Sequence, residues 1–106
     1  MDQVDVAVEA LSKAILESPV YLEYREQLEK VKQFPELKKK IDEYRKKNFE
    51  LQQRSDYAFD KMEQFEKEYR GFCENPLVSD FLAAELAFCR MMQQIYGRLV
   101  EATDFE

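Results

Sequence analysis

The sequence predicts an all-α protein, and three observations carry that prediction. Only two glycines and three prolines interrupt 106 residues; helix-favouring Glu, Lys, Leu, Gln and Ala dominate; and apolar side chains recur at steps of three and four. A β-protein of this length needs a turn every roughly 8–12 residues, and so far more Gly, Pro, Asn and Asp. Apolar residues make up 45% of the chain, with eight Phe and six Tyr, so disorder is not expected and one helical domain over 1–106 is.

Each proline sits where a helix can begin. A first helix is expected over about 4–17 and a second over about 19–32, the latter started by Ser18 as N-cap and Pro19 at the first helical position. Pro35 follows Phe34, which has no capping side chain, so Pro35 marks either a break or a kink. A long third helix is expected over about 35–70, with Gly71 as its terminator. Asn75 and Pro76 repeat the cap-plus-proline pattern and open a fourth helix over about 76–102.

The third segment has the clearest pattern. Leu37, Ile41, Tyr44, Asn48, Leu51, Ser55, Ala58, Met62, Phe65, Tyr69 and Phe72 alternate steps of four and three, the seam of a helix packed lengthwise on near-parallel partners. As one helix it would be about 54 Å long. The fold expected is therefore an elongated antiparallel helical hairpin or bundle, oligomeric, because such a helix needs partner surface along its length. Asn48 and Ser55 are polar seam positions, which either fix register or mark local exposure.

The fourth segment carries two stripes. Leu77, Phe81, Ala84, Phe88, Met91 and Ile95 are assigned to the chain's own core. Val78, Leu82, Cys89, Met92, Tyr96 and Leu99, interrupted by Glu85, form a second stripe one residue on. Together they make an apolar arc wider than one neighbouring helix covers, so the second stripe is the candidate protein interface.

Twenty-two acidic against sixteen basic side chains leave a net charge of −6, which repels phosphate backbones and anionic membranes. Direct nucleic-acid binding is thus disfavoured. No apolar run reaches the roughly 18 residues of a membrane span, and the acidic start MDQVDVAVEA is unlike an export signal. Two cysteines outside any CxxC spacing fit a reducing, cytoplasmic setting. With no histidine there is no Ser-His or Cys-His nucleophile pair and no His-containing metal motif. Two glycines exclude a Gly-rich phosphate loop. No enzymatic activity is expected.

Two local features have alternative readings. Lys38, Lys39, Lys40, Arg45, Lys46 and Lys47 either dock an RNA backbone or an acidic partner, or interlock with Glu36, Asp42, Glu43 and Glu50 as a solvated flank. Cys73 and Cys89 either serve an iron–sulfur or redox site shared between chains, or are packing residues.

The run Glu17-Ser18-Pro19-Val20-Tyr21-Leu22-Glu23-Tyr24, then Phe34-Pro35-Glu36-Leu37, then Asn75-Pro76-Leu77-Val78 with Phe81 and Ala84-Glu85, resembles the YlbF/YmcA family of bacterial regulators. The resemblance covers nearly the whole chain, from Val4 to Ala102. It implies a small helical protein that assembles into dimers or larger oligomers and acts in competence, sporulation and biofilm development. It also implies work alongside sister proteins and a membrane-tethered ribonuclease in RNA processing. Some relatives hold cysteine-ligated iron–sulfur clusters. This sequence shows no cysteine-bearing C-terminal tail of that kind, so no cofactor is expected. The expected role is a non-enzymatic regulatory or scaffolding subunit whose partners are itself, other regulatory proteins and a ribonuclease complex, without membrane insertion.

Overall fold

In the computed structural model, which describes residues 2–53 and 58–104, five helices follow one another: α1 (Gln3–Glu17), α2 (Pro19–Lys32), α3 (Pro35–Gln53), α4 (Ala58–Glu74) and α5 (Pro76–Thr103). Among the described residues there is no strand and no helix long and apolar enough to cross a membrane.

Two of the joints begin at the caps expected for them, Ser18 and Asn75. Ser18 Oγ accepts from the Tyr21 amide at 3.2 Å and donates to the Ile15 carbonyl at 2.7 Å, so one hydroxyl ends α1 and starts α2. Asn75 Oδ1 accepts from the Leu77 amide at 3.0 Å. At Pro35 the chain breaks. The Phe34 amide still donates to the Val31 carbonyl at 2.9 Å, while the Phe34 carbonyl already accepts from the Lys38 amide at 3.0 Å. Gly71 does not terminate α4, which runs through it to Glu74 with no positive φ at either glycine. The stop comes at Asn75, where the following proline disfavours helical backbone.

The single helix expected over 35–70 is instead two helices that run back along each other. The Tyr44 ring stacks on Phe65 at 5.1 Å and meets Tyr69 edge-on at 5.2 Å. Lys47 Nζ lies 3.3 Å from Glu68 Oε1, and Lys40 sits over the Phe72 ring. In one straight helix Tyr44 and Phe65 would stand about 32 Å apart. The seam itself was read on the correct face. Ile41, Phe65 and Tyr69 are buried, and Leu37, Tyr44, Asn48, Leu51, Met62 and Phe72 are half-buried. Its two halves cover each other, which removes the need for a long external partner along it. Ser55 and the side chain of Ala58 lie outside what the structure describes.

The core joins α2, α3 and α5. Val31, Ile41, Val78 and Phe81 are fully enclosed, Leu28 nearly so, and Tyr24, Leu37, Phe72 and Leu82 pack around them. α2 and α5 run antiparallel with an aromatic ladder between them. Tyr24 stacks on Phe88 at 5.3 Å and lies 6.0 Å from Phe81, and Tyr21 lies 5.4 Å from Phe88. Arg45 of α3 reaches Glu85 of α5 at 3.0 Å, which explains the acid that interrupts the second stripe. The molecule is flat, measuring 50 × 37 × 18 Å.

Candidate interaction surface

α5 is longer than the core it packs on, and its two ends have different surroundings. Over its first turns Val78 and Phe81 are enclosed and Ala84 is buried. Beyond Phe88 no residue of α5 is buried, although apolar side chains continue. Met92 is 41% exposed, Leu99 54% and Tyr96 64%, while Cys89 also faces solvent.

The predicted stripe is therefore divided. Val78 has no free surface to offer a partner, because the crossing of α2 and α3 over α5 encloses it. Leu82 packs against the same core. Cys89, Met92, Tyr96 and Leu99 remain together as an open row on the far half of the helix.

The sequence reading missed the neighbour of that row. α1 contributes no buried residue at all, and Val4, Val6, Val8, Leu11 and Leu16 are exposed. Leu11 meets the end of α5 along an open groove of about 430 Å³ that it lines with Ile95, Arg98, Leu99 and Ala102. The signal was present in the sequence: Val4, Val8, Leu11 and Ile15 follow steps of four, three and four. Amphipathic helices of this kind form because a partner takes their apolar face. Here the chain itself leaves that face open.

The basic cluster is largely spent on contacts within the chain. Lys38 binds both carboxylate oxygens of Asp42 at 2.8 Å, and Arg45 is shared between Asp42 and Glu85. Lys40 lies over Phe72, and Lys47 lies over Tyr69 while bonding Glu68. The Tyr69 and Glu68 oxygens hold the Lys47 ammonium pKa above its ordinary value. Lys39 and Lys46 are exposed. Of the four acids expected to interlock with this cluster, Asp42 does so, while the other carboxylate partners are Glu85 of α5 and Glu68 of α4.

The two thiols are on different helices, Cys73 half-buried near the end of α4 and Cys89 exposed on α5. Cys73 lines a pocket with Tyr44, Phe65, Glu66, Tyr69, Arg70 and Glu74. The Tyr44 hydroxyl pKa is raised chiefly by burial, and further by its hydrogen bond to Cys73 and by the charges of Cys73 and Glu66. Among the described residues no three His, Cys, Asp or Glu side chains converge as metal ligands. A cluster held within one chain does not fit this arrangement.

The family model described as "Control of competence regulator ComK, YlbF/YmcA" matches residues 4–102. A UPF0342 protein of Caldicellulosiruptor bescii is 24% identical, over 96% of this chain and 88% of its own length. No solved structure matches the chain.

Proposed function

The chain belongs to the YlbF/YmcA family, and from that premise we propose that it is a non-enzymatic regulatory or scaffolding subunit of the cytoplasm that works by binding protein chains. The observation that carries this reading is the open apolar surface of α1 and the far half of α5, where Val4, Val8, Leu11, Met92, Tyr96 and Leu99 stay exposed. Soluble chains seldom leave a contiguous apolar patch of more than a few hundred Å² without a partner. The partners proposed are copies of the chain itself and further regulatory proteins, including those of a ribonuclease complex, in control of competence and related developmental states. RNA contact through 38–47 has less support, since Lys38, Lys40, Arg45 and Lys47 are engaged inside the chain.

The test is affinity capture from the native cell with three forms of the full chain. The wild type should retain a reproducible set of partners, Tyr96→Glu should lose it, and Phe49→Glu, on the opposite arm, should keep it. A Tyr96→Glu form that captures the wild-type set would overturn the reading.

A further inference from the structure

We infer that the groove between α2 and α5 docks a helix of a partner protein through an arginine that the helix carries. The inference goes beyond the interaction reading above, which concerns α1 and the far half of α5. The groove holds about 410 Å³ and is lined by Glu23 and Gln27 of α2 and by Asp80, Ala83, Ala84 and Ala87 of α5. Gln27 is the first argument. At 6% exposure it is the one buried polar side chain among the described residues. Its Nε2 donates to Glu23 Oε1 at 2.8 Å, which fixes the amide with its nitrogen toward the carboxylate. Nothing among the described residues donates to its Oε1, and that oxygen is open to solvent rather than sealed in the core. An oxygen so placed takes a donor that arrives from outside the chain.

The second argument is charge. Among the described residues Glu23 meets no cation, and Asp80 meets no partner at all. Lys30, three residues past Gln27, is drawn to Glu26 at 3.9 Å, and Arg90, three residues past Ala87, lines no part of the groove. Two carboxylates and an amide oxygen thus line one cleft with no positive charge to balance them. A cation buried there keeps its hydrogen bonds, which is the condition on which such burial is favourable. A guanidinium meets that condition better than an ammonium. Its donors lie in a flat fork that reaches the Gln27 oxygen and a carboxylate together, and it gives up its water more readily.

The third argument is shape, which selects a helix as the carrier. Asp80, Ala83 and Ala87 step by three and four along one side of α5, so the floor of the groove is a straight row about two turns long. Ala83 and Ala87 are exposed, and Ala84 beside them is buried. With no side chain beyond Cβ on that floor, another helix approaches to the near end of the usual spacing between axes, about 8 Å. A helix brings its backbone groups already paired. An extended segment would lay unpaired ones on a floor that offers them no backbone partner.

The experiment uses the purified full chain and a peptide probe. The probe is an alanine-rich helix of about 17 residues with one central arginine, and its counterpart has glutamine in that place. Titration followed by backbone amide NMR should move the signals of residues 23–27 and 80–87, and the arginine peptide should bind at least about tenfold more tightly than its counterpart. Asp80→Lys and Ala87→Leu should each weaken binding by a like factor. Glu43→Lys, an equal change of charge on α3, and Tyr96→Glu should leave it unchanged. No binding at millimolar peptide overturns the inference, as does equal binding of the two peptides or binding that survives Ala87→Leu. Calcium chloride that moves the same signals and displaces the peptide makes the groove a metal site and overturns it too. So do groove signals that shift when the protein alone is concentrated, which would give the groove to a second copy.

Discussion

At Phe81 a single ring ties three helices together. It is fully enclosed, packs on Tyr24 of α2, and closes the cluster of Leu28, Val31, Ile41 and Val78. Removing it deletes the apolar contact and leaves a cavity that the packed side chains around it fill only in part, so Phe81→Ala is expected to cost about 3–5 kcal/mol. Phe49 is as large but 63% exposed, and Phe49→Ala is expected to change stability by no more than about 0.5 kcal/mol. Urea titration of the two variants followed by circular dichroism checks the contrast. Equal losses would mean that the core is not centred on α2, α3 and α5.

Where α3 pairs with α4, two groups titrate away from their ordinary values. Tyr44 and Lys47 both hold their protons more tightly in the folded chain. In the alkaline range the folded state thus binds more protons than the unfolded one, and stability falls as pH rises. Their contribution is present in full below the unfolded values of about 10 and is lost as pH climbs through the higher folded values. Thermal midpoints should be flat to about pH 9 and fall above about pH 10, less steeply in Tyr44→Phe. An equal fall in that variant would remove Tyr44 from the account.

The same pair of helices shows what was legible in the sequence. Its steps of four and three gave the correct faces, because periodicity is a local property. Whether the seam meets another chain or folds onto itself depends on where the chain reverses, and nothing in the steps encodes that. Helix starts were legible because Ser18, Pro19, Asn75 and Pro76 act within one turn. Gly71 misled, since glycine permits a helix end without enforcing one, whereas Pro76 does enforce it. The interface reading divided for a related reason. Val78 and Tyr96 share a stripe on α5, yet only the crossing of α2 and α3 decides which is covered.

For the whole molecule, the radius of gyration is 17.5 Å, against about 13 Å for a compact chain of this length. The fold is a flat set of antiparallel helices with little interior, and the stability of such a chain is tied to whatever covers its open face. If the cover is another copy, mass action makes unfolding depend on concentration. The thermal midpoint should rise through a dilution series, and the rise should vanish in Tyr96→Glu. A midpoint independent of concentration in the wild type would mean that each chain stands alone.

The α2–α5 pairing is the most extensive in the molecule, yet its partners lie far apart in sequence, while the remaining major contacts join consecutive helices. Bringing such distant segments together carries a loop-closure entropy that grows with the length of free chain between them. Pairing of α3 with α4 ties off much of that intervening chain, so that α2 and α5 meet as the ends of a short effective loop. The expected order of folding is the local pair before the distant one. Tyr44→Ala is therefore expected chiefly to slow refolding and Tyr24→Ala chiefly to speed unfolding, a contrast that stopped-flow measurement of both rates checks.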